Sequence, residues 1–234
     1  MFDELYGVSE TLINDTEENR TAYKAAFDAL KESVELFDSK DYKTKNGWKK
    51  EAEDQGDVVY SKYMSYGKLF ALHAELNISP EELFKDQWEG VEQLPEWNTN
   101  VEEGKNVAPL GSQSDITYQA MTDMMIIKGR DFVGSRIWRK IGDSYLLIGT
   151  GVVHSLMPER KGKVRGFLHL GAGKFSPVPG DPSKTSLEYL MSMEFKGIIP
   201  KAIINTVTAR MMIADVALTR KHIEDITKEE KEQS

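Results

Sequence analysis

Between residues 16 and 37, apolar positions recur at helical spacing, with Ala22, Ala26, Ala29, Leu30, Val34 and Phe37 forming a modest stripe among many charges. Asp15 or Thr16 can cap this helix, which is expected on the outside of the fold. From Gly47 to Leu76 the pattern becomes extended and breaks at Gly56-Asp57 and Tyr66-Gly67, as antiparallel strands joined by tight turns require. Ser79-Pro80-Glu81-Glu82 then starts a helix. Serine accepts an orphan amide, proline suits the first helical position and the acids favour the positive helix end.

After Pro95-Glu-Trp97-Asn98, strand-like segments recur around 99–109, 114–123, 132–141, 144–154, 162–170 and 185–195, joined by short glycine-bearing links such as Gly142-Asp143. The exception is Gly171 to Lys184, where glycine and proline cluster and an irregular loop is expected. Helical spacing returns at Pro200, at the end of Lys196-Gly-Ile-Ile-Pro200, and holds to about Ile226. There Ile203, Ile204, Val207, Met211, Ala214 and Leu218 fall within one arc that must be buried, and the sheet is the only large partner. One helix cannot fill the concavity of an eight- or nine-stranded curved sheet, so the sheet either collapses on itself or keeps a cavity. The pattern leaves that choice open. A sheet wrapped around one closing helix favours an apolar chamber, hence a carrier of a greasy small molecule rather than a catalyst.

A length of 234 residues, 40% hydrophobic content and the lack of a visible repeat fit one α+β domain with a sizeable core. The expected division is an N-terminal extension over 1–14, the domain over 15–227 and a charged, fraying tail over 228–234. The net charge of −8 offers no surplus of Lys and Arg to displace counterions from phosphate backbones, so nucleic acid is not an expected partner. The absence of cysteine excludes disulfides, thiolate catalysis and Cys-based zinc sites, and fits a reducing compartment without proving one. Met1-Phe-Asp-Glu-Leu-Tyr6 has neither a basic region nor an apolar run and does not read as a targeting peptide. The most apolar stretch, Tyr145 to Val153, is interrupted by Gly149 and Gly151 and is far shorter than the ~20 residues of a membrane helix. The expectation is a cytoplasmic domain, with allowance for its having been cut from a longer, organelle-targeted or membrane-associated precursor.

Fragments that imitate catalytic motifs lack their partners. Gly142-Asp-Ser-Tyr-Leu146 sits at a hairpin turn without a Gly-x-Ser-x-Gly elbow, and Gly171-Ala-Gly-Lys174 lacks the leading glycine and the following Ser or Thr of a phosphate loop. His73, His154, His169 and His222 have no paired zinc spacing and read as packed or surface residues. No cofactor, metal or catalytic residue is expected.

Arg130-Asp-Phe-Val133, Met157-Pro-Glu-Arg-Lys-Gly162, Asp181-Pro-Ser-Lys-Thr185 and Lys196-Gly-Ile-Ile-Pro-Lys-Ala-Ile-Ile-Asn205 occur in an order and spacing that closely resemble START domains of the steroidogenic acute regulatory type, with Pro95-Glu-Trp-Asn98 as a fifth block. The resemblance covers roughly residues 45 to 226. It implies a helix-grip fold, in which a curved antiparallel sheet of about nine strands holds the C-terminal helix over a tunnel for one lipid. It also implies non-enzymatic transfer of a sterol such as cholesterol between membranes, with transient membrane contact. The alternative is a carotenoid, the cargo of an insect member of similar type.

Tunnels of that family carry an acid and an arginine near the polar head of the ligand. Arg136 matches the arginine and shares a strand face with Phe132, Gly134 and Trp138. A guanidinium in such company needs an anion, a carbonyl or water; an ordinary strand arginine would reach solvent instead. Gln119, in Asp115-Ile-Thr-Tyr-Gln119, occupies the family's acidic position, so the standard salt bridge is in doubt. Asp123, four residues on, can substitute or face solvent. Asp215 stands where the aligned pattern has an aromatic residue, at the edge of the arc that holds Val207, Met211 and Leu218; pairing and solvation are both open for it. Facing the tunnel, it would lengthen the cavity and add a second polar end. Met124-Met-Ile-Ile127 reads either as a membrane-touching lid or as the end of a buried strand, and Gly171 to Gly180 as a second rim loop or a plain surface excursion.

Overall fold

The computed structural model describes residues 4–123, 128–197 and 199–232. In chain order the elements are α1 (Glu17–Asp38), α2 (Lys40–Thr44), β1 (Lys49–Asp54), β2 (Asp57–Met64), β3 (Gly67–Leu76) and α3 (Pro80–Glu89). A single 3₁₀ turn, Gly90–Glu92, leads to α4 (Leu94–Trp97), and β4 (Val101–Pro109), β5 (Ser114–Met121), β6 (Arg130–Ile141) and β7 (Ser144–Gly151) follow. The chain ends with β8 (Val164–Arg165), β9 (Phe167–Val178), β10 (Asp181–Glu194) and α5 (Lys201–Glu232).

Local chemistry accounts for the starts and turns. The Thr16 hydroxyl accepts the Asn19 amide at 3.2 Å to open α1. Ser79 and Glu82 form a reciprocal capping box at α3, with bonds of 3.3 and 3.2 Å. Gln55 and Gly56 both take positive φ, 49° and 92°, as a two-residue hairpin between β1 and β2 requires.

The strands form one ten-stranded sheet in the order β1-β2-β3-β10-β9-β7-β6-β5-β4, with the short β8 alongside β6. Apart from the parallel β6–β8 pair, neighbours are antiparallel. Both faces of this curved sheet are apolar, which sets it apart from a half-solvated antiparallel sheet. On the outer face, α1 lays Tyr23, Ala26, Phe27 and Leu30 against Ile116, Ile137, Leu146 and Leu170. On the inner face, Phe70, Leu72 and Met191 meet Leu83 and Phe84 of α3 and Met211, Met212, Val216 and Ile223 of α5.

Residues 4–14 belong to the outer layer. Leu5 and Leu12 are buried in its core, and Glu10 Oε2 accepts from Arg139 Nη2 at 2.9 Å with both side chains fully buried. Glu10 Oε1 accepts from the Gln113 amide at 2.7 Å and the Ser114 hydroxyl at 3.1 Å. Arg139 also donates to the carbonyls of Leu5 at 3.2 Å and Trp138 at 2.7 Å, and to Gln113 Oε1 at 3.0 Å.

The irregular loop expected over Gly171 to Lys184 is instead a long hairpin. β9 continues to Val178 and β10 begins at Asp181, with Met191 opposite Gly171 and Tyr189 opposite Gly173. These glycines record crowding inside a strand: a Cβ would lie 3.2 Å from Leu168 Cδ2 at Gly171 and 3.0 Å from Phe175 Cζ at Gly173. The second rim loop therefore reduces to the tight turn at Gly180, where φ is +84°.

α5 runs to Glu232, past the expected end at Ile226, and Lys228-Glu-Glu-Lys-Glu232 is composed of good helix formers. Its buried face is rotated from the expected arc. Val207, Met211, Met212, Val216 and Ile223 are buried, whereas Ala214 is exposed and Leu218 half-buried.

Candidate ligand-binding site

Between the inner sheet face, α3, α4 and α5 lies a cavity of about 310 Å³. Alternate residues of the central strands supply its wall, among them Thr117 and Gln119 from β5, Phe132, Gly134 and Arg136 from β6, and Gly171 and Gly173 from β9. Glycine at four such positions, counting Gly149 of β7, leaves room that side chains would otherwise take up. α5 closes the space with Met211, Met212, Asp215, Val216 and Thr219.

Arg136 sits in this wall, and its partner is none of the candidates read from the sequence. Asp115 Oδ1 accepts from Nε at 2.9 Å and Oδ2 from Nη2 at 2.6 Å, a bidentate pair from the neighbouring strand. Asp115 is directly opposite Arg136 in the β5–β6 register. A hairpin closing near Met121 and Arg130 puts those two residues face to face, and this was the available signal. The guanidinium also donates to the carbonyls of Trp88 at 3.0 Å and Gln87 at 3.4 Å, and lies 4.4 Å from the Trp88 ring centroid. It thus fastens the C-terminal end of α3 to the sheet. Burial pushes the Asp115 carboxyl up from its ordinary value, and Arg136 pulls it part of the way back.

Of the other candidates, Gln119, Phe132, Met211 and Asp215 line the cavity. Asp123, Trp138, Val207 and Leu218 do not. Asp123 is at the surface, accepting from Lys128 Nζ and the Gly129 amide, both at 2.7 Å, because β5 ends two residues earlier and the chain turns outward. Trp138 shares the face of Arg136 but is covered by Phe84, with ring centroids 4.9 Å apart. Val207 packs with Phe195 beyond the wall, and the rotated face of α5 takes Leu218 out of it. The segment Met124-Met-Ile-Ile127 lies outside the described residues.

Asp215 is bound by amides rather than by a cation. Its Oδ1 accepts from Asn100 Nδ2 at 2.8 Å and Asn98 Nδ2 at 3.3 Å, tying α5 to the link between α4 and β4. Burial pushes its carboxyl up, against the pull of the two amides. The hydroxyl of Tyr189, across the cavity wall, is pushed up to about 12 by burial and by the Asp215 charge. Further along α5, His222 Nε2 is 2.9 Å from Asp86 Oδ1 and the ring stacks on Trp97 at 4.4 Å, while Arg220 pairs with the buried Asp57. The second half of α5 is therefore anchored by polar contacts to three separate elements.

Comparison with known proteins agrees with this architecture. The human StAR-related lipid transfer protein 5 structure superposes with a TM-score of 0.78 at 21% identity, covering 89% of this chain and 99% of its own. Steroidogenic acute regulatory-like protein 1 of Caenorhabditis elegans is 37% identical, over 95% of this chain and 86% of the relative. The mitochondrial steroidogenic acute regulatory protein of Homo sapiens is 32% identical, over 93% of this chain and 75% of the relative. A family model described as START domain matches residues 28–229, and the chain, with its antiparallel sheet closed by α5 over a cavity, belongs to that family.

Proposed function

We propose that this protein binds one hydrophobic lipid beneath α5, a sterol foremost, and carries it between membranes without chemically changing it. The observation that carries the reading is the cavity itself, a mostly apolar space with a few placed polar groups inside a START domain. The steroidogenic names of the relatives favour a sterol within the wider class of lipids. Hiding ~400 Å² of apolar ligand surface would be worth on the order of 10 kcal/mol before the costs of binding, so bound cargo is well retained. Release then requires part of the closure to shift. No helix among the described residues is long and apolar enough to cross a membrane, so the protein would meet the bilayer from its surface. A volume of about 310 Å³ is near the lower end for ligand pockets, which suits a compact guest. The relatives' names do not favour the carotenoid, although Asp215 in the cavity wall supplies the second polar end that a long ligand with two hydroxyls would use.

The test is transfer of a fluorescent sterol between donor and acceptor vesicles, with mass spectrometry of lipid extracted from the protein. Wild type should accelerate transfer, and Leu147→Trp, which puts an indole in the cavity wall, should fold and transfer little. Failure of wild type to take up any sterol would overturn the sterol assignment.

A further inference from the structure

The polar groups of the cavity differ in how much hydrogen bonding they have left. Arg136 is engaged: Asp115 takes two of its N–H groups, the carbonyls of Trp88 and Gln87 take two more, and the Trp88 ring covers its face. Asp215 is engaged on one side only. Both asparagine amides converge on Oδ1, and Oδ2 receives no protein donor among the described residues. The same wall holds Gln119 and Tyr189, whose side-chain polar atoms also make no hydrogen bond to the described protein. A carboxylate oxygen facing a mostly apolar pocket gains from a donor supplied by the pocket's occupant.

We propose that Asp215 Oδ2 accepts a hydrogen bond from the hydroxyl of a lipid alcohol, with Gln119 and Tyr189 completing the polar end, so that orientation is set from α5 and not by Arg136. The inference rests on the lipid-binding reading above and specifies its ligand further. An O–H···O⁻ bond is among the stronger neutral-to-charged contacts, and a ligand lacking the hydroxyl would leave the carboxylate unpaired. Asn98 accepts the Asn100 amide on its own Oδ1 at 2.9 Å, which fixes its Nδ2 toward Asp215. An asparagine at 215 must therefore keep its oxygen toward the two amides and present an NH₂ to the ligand. Asp215→Asn thus preserves the tie to the α4–β4 link while turning an acceptor into a donor.

The experiment measures competition against a fluorescent sterol by three relatives of cholesterol: the alcohol, the 3-ketone and the 3-deoxy hydrocarbon. Wild type should prefer the alcohol to the other two by about 10- to 100-fold. In Asp215→Asn the preference should collapse or invert toward the ketone, and in Asp215→Leu the alcohol and hydrocarbon should bind alike. An unchanged order of preference in Asp215→Asn, or an equal loss for all three ligands in Asp215→Leu, would overturn the proposal and leave Asp215 as a tie between elements. Hexadecanol and hexadecane, run in parallel by displacement of a fluorescent fatty alcohol, separate the two claims. If sterols do not bind but hexadecanol loses its advantage in Asp215→Asn, the sterol reading falls and the subsite stands. If neither family of ligands binds wild type, both fall.

Discussion

On the outer face of the sheet, Arg139 and Glu10 are fully buried, and both oxygens of Glu10 are occupied by protein donors. On the inner face, Asp215 is held through one oxygen by two asparagine amides, with no cation among its hydrogen-bond partners in the described residues. The same sheet separates the two. Outside, α1 and residues 4–14 pack against the sheet and supply a counter-charge; inside, glycines and a rotated α5 leave a cavity and a carboxylate oxygen with no donor among the described residues. The contrast separates a buried charge that the fold itself pairs from one that the ligand proposed above would complete, because an incompletely bonded buried charge is costly.

The largest effect should come from breaking the outer pair. Arg139→Met strands the Glu10 carboxylate, and chemical denaturation should show a loss of about 3–5 kcal/mol with the ligand order of preference intact. A shift in that order would mean the two faces are not independent. Arg136→Leu should come next, at about 2–4 kcal/mol, since it orphans Asp115 and frees the end of α3. If it instead changed alcohol selectivity with no effect on folding, the anchor would return to Arg136.

Asp215→Asn should act in the opposite direction. Burial raises the folded-state pKa of Asp215, so folding favours its protonated form. Its contribution to stability is therefore most favourable in acid, below the unfolded value, and declines as pH rises through the folded value. Asparagine is neutral throughout. The variant should match wild type in acid and exceed it at pH 7 by on the order of 1 kcal/mol, about 2–4 °C in Tm. Tyr189, pushed up to about 12, keeps its proton across this window, while Asp115 titrates in both proteins and cancels. A variant less stable than wild type at pH 7 would show that the carboxylate is favourably paired. The smallest change should come from Asp123→Asn, which removes a surface pair with Lys128 and should leave transfer and Tm unchanged.

Much of this was legible along the chain. Cap chemistry marked the starts of α1 and α3, and alternation marked the strands to within a few residues, because both are local consequences of backbone bonding. The hairpin over Gly171 to Lys184 was not legible, since glycine signals a turn and a crowded strand alike, and only the approach of Leu168 and Phe175 distinguishes them. The partner of Arg136 depended on strand register. The pattern along β5 points to Gln119 and Asp123 and not to Asp115, because the position opposite an arginine is set by the register of the neighbouring strand. The outer pair was missed altogether, since Glu10 and Arg139 are 129 residues apart and nothing near either implies the other.

The order of polar and apolar residues by itself determined an α+β fold, most of its element types and its closing helix, and five short blocks determined its family. Those properties follow from periodicities and motifs that each segment carries alone. The tertiary structure decided which side of α5 faces inward, which carboxylate meets Arg136 and which oxygen of Asp215 the amides of Asn98 and Asn100 bind. These depend on distances of a few ångströms between segments far apart in the chain, and burial then decides what each charge is worth.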